Sequence, residues 1–125
     1  MGSAGEGKIS SATRADFAEA AAVVISGEDH KGKVYELAGD QAYTLNELAS
    51  EISKQTGKHI PYKNLPEDEY ARILKEFGFP EIFADAIASW DICASKGDLF
   101  DDSKQLSKLL GRPTTPLSKA IEAVL

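Results

Sequence analysis

Apolar residues recur along this chain at helical spacing, in short stretches separated by glycine and proline. Thr13-Arg14-Ala15-Asp16 resembles a capping box with Asp in place of Glu. Behind it, Phe17, Ala20, Ala21, Val24 and Ile25 fall at steps of three, four, seven and eight residues. This predicts a helix from Thr13 to the stop at Gly27, with that stripe turned to a core. Thr44-Leu45-Asn46-Glu47 is a full capping box, and Leu45, Leu48, Ala49 and Ile52 follow before Gly57. Pro66 opens a third helix, with acids in its first turn and Tyr70, Ile73, Leu74 and Phe77 as its stripe. Pro80 opens a fourth, with Phe83, Ala86, Ile87 and Trp90 facing inward. Asp102 or Ser103 caps a short helix carrying Leu106, Leu109 and Leu110, which Gly111 closes. Thr115 caps a last one, with Pro116 at its first position and Leu117, Ala120, Ile121 and Val124 inward.

Alternation is scarcer. Val34 to Leu37 reads as a short strand between two helices, and His59 to Tyr62 as another. Pro61 lacks an N–H and confines that second strand to a sheet edge. Lys8 to Ser11 adds a third short extended segment. The order helix-strand-helix-strand fits a helix-rich α/β fold of about six helices and two or three short strands. Gly2, Gly5 and Gly7 suggest that residues 1–7 form a flexible lead-in. Covering Phe17, Val24 and Ile25 calls for packing on the Thr44–Thr56 helix or for contact between copies.

Charge narrows the function classes. The formal net charge of -6 argues against nucleic acid, whose phosphates require clustered Lys and Arg. The acidic groups Glu67-Asp68-Glu69 and Asp101-Asp102 stand where helices begin, and acids suit the positive end of a helix dipole. No apolar run reaches the roughly 18 residues of a membrane span. The single cysteine, Cys93, excludes an internal disulfide and points to a reducing, cytoplasmic setting.

Candidate chemistry is thin. His30 and His59 stand far apart with no cysteine pair near, so no metal site is expected. Cys93 reads as a small buried apolar residue. The spacing in Gly2-Ser3-Ala4-Gly5-Glu6-Gly7 is wrong for a dinucleotide fingerprint, and Glu6 would repel a phosphate. None of the four tyrosines is followed four residues later by lysine, so the Tyr-x-x-x-Lys pair of many short-chain reductases is missing. No catalytic residue emerges.

Three stretches together carry a resemblance: "GEGKISSATRADFAEAAAVVI", "GKVYELAGDQAYTLNELASEISKQTGK" and "ASKGDLFDDSKQLSKLLGRPTTPL". In order and spacing they resemble the C-terminal part of the NmrA-like NAD(P)H:quinone oxidoreductases, of the atypical short-chain dehydrogenase superfamily. The resemblance is looser between Pro66 and Ile92. It implies the C-terminal lobe of a Rossmann-like fold, roughly the last two-fifths to one-half of a family protein. Residues 8–43 would then be a remnant of the Rossmann sheet edge, and residues 44–125 the helical lobe on the substrate side. The whole protein would transfer hydride from NADPH to a quinone. This chain alone would be inactive and would bind NADPH weakly or not at all, because the glycine-rich half is absent. One cofactor-binding position carries over, Ala12, flanked by Ser11 and Thr13. The implied partners are the missing N-terminal half or a second copy. The family's sensor-type members leave a non-enzymatic binding module, or an autonomously folding fragment that self-associates, as alternatives.

Overall fold

The computed structural model describes all residues, Met1–Leu125. Its regular elements are helices: α1 (Arg14–Ser26), α2 (Leu45–Thr56), α3 (Glu67–Glu76), α4 (Glu81–Ser95), α5 (Gln105–Leu110) and α6 (Leu117–Glu122). None is long and apolar enough to cross a membrane. The chain folds as two compact units, one of residues 1–9 and 43–99, the other of residues 10–42 and 100–125.

In the first unit, α2 starts on the capping box its sequence announces. Glu47 N–H donates to Thr44 Oγ1 (3.1 Å) and Thr44 N–H to Glu47 Oε2 (2.8 Å). Gly57 ends it in the left-handed region, φ 67°, where a Cβ would be strained. Its stripe Leu45, Leu48, Ala49 and Ile52 is half-buried. α3 packs on α4. Here the inward face differs from the pattern. The buried residues are Ala71 on α3 and Ala84, Ala88 and Ala94 on α4, whereas Phe83 is exposed and Trp90 is 61% exposed. Small side chains let helices approach closely, so the alanine line becomes the contact and the aromatic line turns outward.

Residues 1–7, expected to be a flexible lead-in, are tied down. Gly2 N–H donates to the Lys63 carbonyl (3.1 Å) and Leu65 N–H to the Gly2 carbonyl (2.8 Å), a parallel bridge to Asn64. The next three amides go to side chains: Ser3 to Asp91 Oδ2 (2.7 Å), Ala4 to Tyr62 Oη (3.2 Å) and Gly5 to Asn64 Oδ1 (2.9 Å). Gly7 is required by space, because it faces backbone, and Gly2 is closely surrounded by side-chain ends. A Cβ at Gly2 would lie 2.5 Å from Asp91 Oδ2, and one at Gly7 would lie 2.2 Å from the Ala94 carbonyl oxygen. Ile9 pairs antiparallel with Tyr43 through two backbone bonds.

In the second unit, α1 packs on α5 around fully buried Ala20 and Leu106. Phe17 is partly exposed and Ile25 is 84% exposed, so the expected stripe on α1 is only partly used. The extended segments form no ladder. Glu36 N–H is served by Gln105 Oε1 (3.3 Å), and Val34 is 85% exposed. Within the first unit, both backbone groups of Ile60 are met by Ser53 Oγ, at 3.0 and 3.2 Å. Side chains thus take the bonds a neighbouring strand would have taken. Of the expected short strands only the one at residues 8–11 keeps a bridge, Ile9 with Tyr43, and those at residues 34–37 and 59–62 form none.

The short helices also start differently. Lys104, at φ 56°, is the N-cap of α5 in place of Asp102 or Ser103, while Asp101 Oδ1 accepts from Ser103 N–H (2.8 Å) in the turn before it. Pro116 is the N-cap of α6 in place of Thr115, whose hydroxyl is directed to Asp16 instead.

Candidate functional site

The turn of residues 10–13, which contains Ala12, leads into α1 in the second unit. Thr13 stops the chain in extended conformation, φ -71° and ψ 151°, and its Oγ1 accepts from Asp16 N–H (3.1 Å). That half of the capping box forms as the sequence suggests. The reciprocal half does not, because the Asp16 carboxylate turns elsewhere.

Side chains and backbone from distant positions fix the turn. Gly39 N–H donates to the Ser10 carbonyl (2.9 Å), and Asp101 N–H donates to the buried Ser10 Oγ (3.1 Å). Gly39 is needed there, since a Cβ would lie 2.2 Å from the Ser11 carbonyl oxygen. Ala12 is half-buried and Ser11 exposed. Asp101 sits below the ordinary carboxylate range because Ser103 favours its charge, its N–H donating to Oδ1 (2.8 Å).

Asp16, one helical turn on, is fully buried. Its Oδ2 accepts from Thr115 N–H (2.8 Å), and its Oδ1 from Thr115 Oγ1 (3.1 Å) and Arg112 Nη2 (2.9 Å). Arg112 also reaches Glu19. Burial works against the charge of Asp16, but bonds from the Thr115 N–H, Arg112 and the Thr115 hydroxyl outweigh it and hold the carboxyl below its ordinary value. These clamps, Gly39, Asp101 and Asp16, escaped the sequence reading. Only the double role of Asp16 left a trace there, as an acid in a capping box.

The glycines do not make a phosphate cradle. Gly57 and Gly111, both left-handed, end α2 and α5, and neither they nor the other left-handed glycines open a helix. The glycines present do not fit a cofactor's diphosphate.

The first unit has a groove of about 470 Å³ along α3 and α4, lined by Glu67, Asp68, Ala71, Asp85 and Ala88. Lys75 bridges Asp85 (2.9 Å) and Glu81 (3.3 Å) beside it. An acidic rim of this kind disfavours phosphates. Nearby, Tyr62 and Tyr70 hold their phenolic protons above the ordinary range, through burial first and then the Asp91 charge. Cys93 is half-buried. No group of three or more His, Cys, Asp or Glu side chains is placed to hold a metal ion.

No protein-family model matches the chain. It is 59% identical to quinone oxidoreductase 2 of Escherichia coli (strain K12) over 121 residues, which are 97% of this chain and 42% of that protein. It superposes on the crystal structure of an NADPH-dependent quinone oxidoreductase from Escherichia coli with a TM-score of 0.95 and 58% identity, covering 98% of this chain and 45% of the other. On triphenylmethane reductase from Citrobacter sp. the TM-score is 0.93 at 35% identity, covering 99% and 43%. The chain therefore spans less than half the length of the relatives it matches. In sequence and in fold, the chain is similar to a part, less than half, of these quinone oxidoreductases, in keeping with the resemblance its three stretches carry.

Proposed function

We propose that this chain is the substrate-side part of an NADPH-dependent quinone oxidoreductase working in the reducing cytoplasm. The observation that carries the reading is the 59% identity to quinone oxidoreductase 2 across 97% of the chain. Bound NADPH would supply the hydride and a quinone would accept it. Residues 8–43 would complete the edge of a nucleotide-binding sheet, and of residues 44–125 those up to 99 would form the lobe over the substrate, since 100–125 fold into one unit with 10–42. Ala12 would present its backbone to the cofactor, with Gly39 and Asp101 keeping that turn in place. The nucleotide-binding half would be the partner, and the diphosphate would be held there. The hydrogen bonds that hold the turn and the helix-ending role of Gly57 and Gly111 support this division of labour.

The test is quinone reduction by the chain alone and after mixing with a nucleotide-binding half. Activity only on mixing supports the reading. NADPH binding to the chain alone tighter than about 10 µM, roughly 7 kcal/mol, overturns it.

One observation favours a second reading, a non-enzymatic module that self-associates. Val34 and Ile25 stand open in the second unit, and Val34–Leu37 has no strand partner. Light scattering that gives a monomer at every concentration would exclude it.

A further inference from the structure

The last stretch of the second unit is held by acids more than by apolar contact. Asp16 takes the N–H and hydroxyl of Thr115 and the Arg112 guanidinium. Asp40 Oδ2 accepts from Thr114 N–H (2.9 Å), and Asp40 N–H donates to Thr114 Oγ1 (2.8 Å). Two successive amides therefore end on two different carboxylates, one from α1 and one from a loop. Beyond them, Ile121 is the buried residue of α6. Helix-on-helix packing in this unit is that of α1 with α5, and α6 has no part in it.

Both carboxylates are held in the charged form. The causes for Asp16 are given above. Burial opposes the charge of Asp40 as well, but the Thr114 N–H on Oδ2 and the Lys104 charge prevail. The charged groups facing the pair are few. Arg112 and, through it, Glu19 face Asp16, and Lys104 faces Asp40. On α5, which packs against α1, Lys108 directs its Nζ to the Ser103 carbonyl (3.0 Å). Hydrogen bonds to a charged acceptor are about twice as strong as those to a neutral one. Loss of the charges weakens this grip, while the packing of Ala20 and Leu106 between α1 and α5 does not depend on them.

We propose that residues 111–125 form a strap latched by Asp16 and Asp40, which opens as one piece when the two carboxylates lose their charge while α1 and α5 stay folded. Proteins do open in such contiguous pieces below their global stability.

Residue-resolved hydrogen exchange on the full chain tests this, at neutral pH and in steps down to well below the ordinary aspartate value. The amides of Thr114, Thr115 and α6 should lose protection together, at a pH where α1 amides remain protected. The double variant D16N/D40N should reproduce this at neutral pH, with strap protection falling at least tenfold and α1 protection unchanged. If that variant does not fold, T115V, which removes one bond and keeps the carboxylate, should loosen the strap alone. The proposal fails if strap and α1 amides exchange in a single step, if acid leaves the strap protected, or if T115V leaves strap exchange unaltered.

Discussion

The two units solve the same problem with different chemistry. In the first, helices meet through alanine and the N-terminal segment lies on α4 through glycine, so contact is made by backbone approaching backbone. In the second, Leu106 anchors α5 and Ile121 is the buried residue of α6, and aspartates gather distant amides around them. Close approach is intolerant of added atoms. Charge gathering is intolerant of lost charge. A small domain can use either when its apolar core is modest.

This contrast can be broken at defined points. Leu106→Ala should cost the most, about 2–5 kcal/mol, because it empties the fully buried anchor of the second unit. Urea unfolding measures it, and a loss under about 1 kcal/mol would mean that the aspartates alone suffice. Gly7→Ala should cost about 1–3 kcal/mol by forcing a methyl group against the Ala94 carbonyl. The same measurement checks it, and a neutral result would remove close approach as the organising contact of the first unit.

A gentler and graded effect follows from pH. The carboxyls of Asp16 and Asp40 are lowered in the fold, so their contribution is complete above the ordinary aspartate value and fades as pH falls through the folded one. Tyr62 and Tyr70 are raised, so theirs is complete below the ordinary tyrosine value and fades as pH climbs through the folded one. Acid should therefore loosen the second unit first, and alkali the first unit. Residue-resolved exchange at both extremes reports it, and loosening of the same unit at both ends would contradict the contrast. Trp90→Ser should matter least, within about 0.5 kcal/mol, because the indole is mostly outside the fold. A large loss in the melting temperature would return the aromatic stripe to the core.

Much of this was legible in the sequence. The order of helices was, and so were the caps at Thr13 and Thr44, because a cap is settled within four residues. The inward faces of α1 and α4 were not. Periodicity counts Phe83 and Ala84 alike, and only packing decides that the smaller one permits the closer approach. Gly2 and Gly7 suggested flexibility for a related reason, since a glycine chosen for want of room looks the same as one chosen for freedom. At the candidate site, the turn before α1 was visible. Its clamps were not, because Gly39, Asp101 and Arg112 reach it from far along the chain.

That reach bears on how the molecule is made. The bond from Thr115 to Asp16 spans 99 positions, nearly the whole chain. A ribosome releases Asp16 long before its partner exists, and closing so long a loop costs entropy before any contact repays it. The carboxylate must stay in water while those positions are made, and it is drawn inside only when the segment around Thr115 arrives. Completion of the second unit is therefore a late event relative to the making of α1.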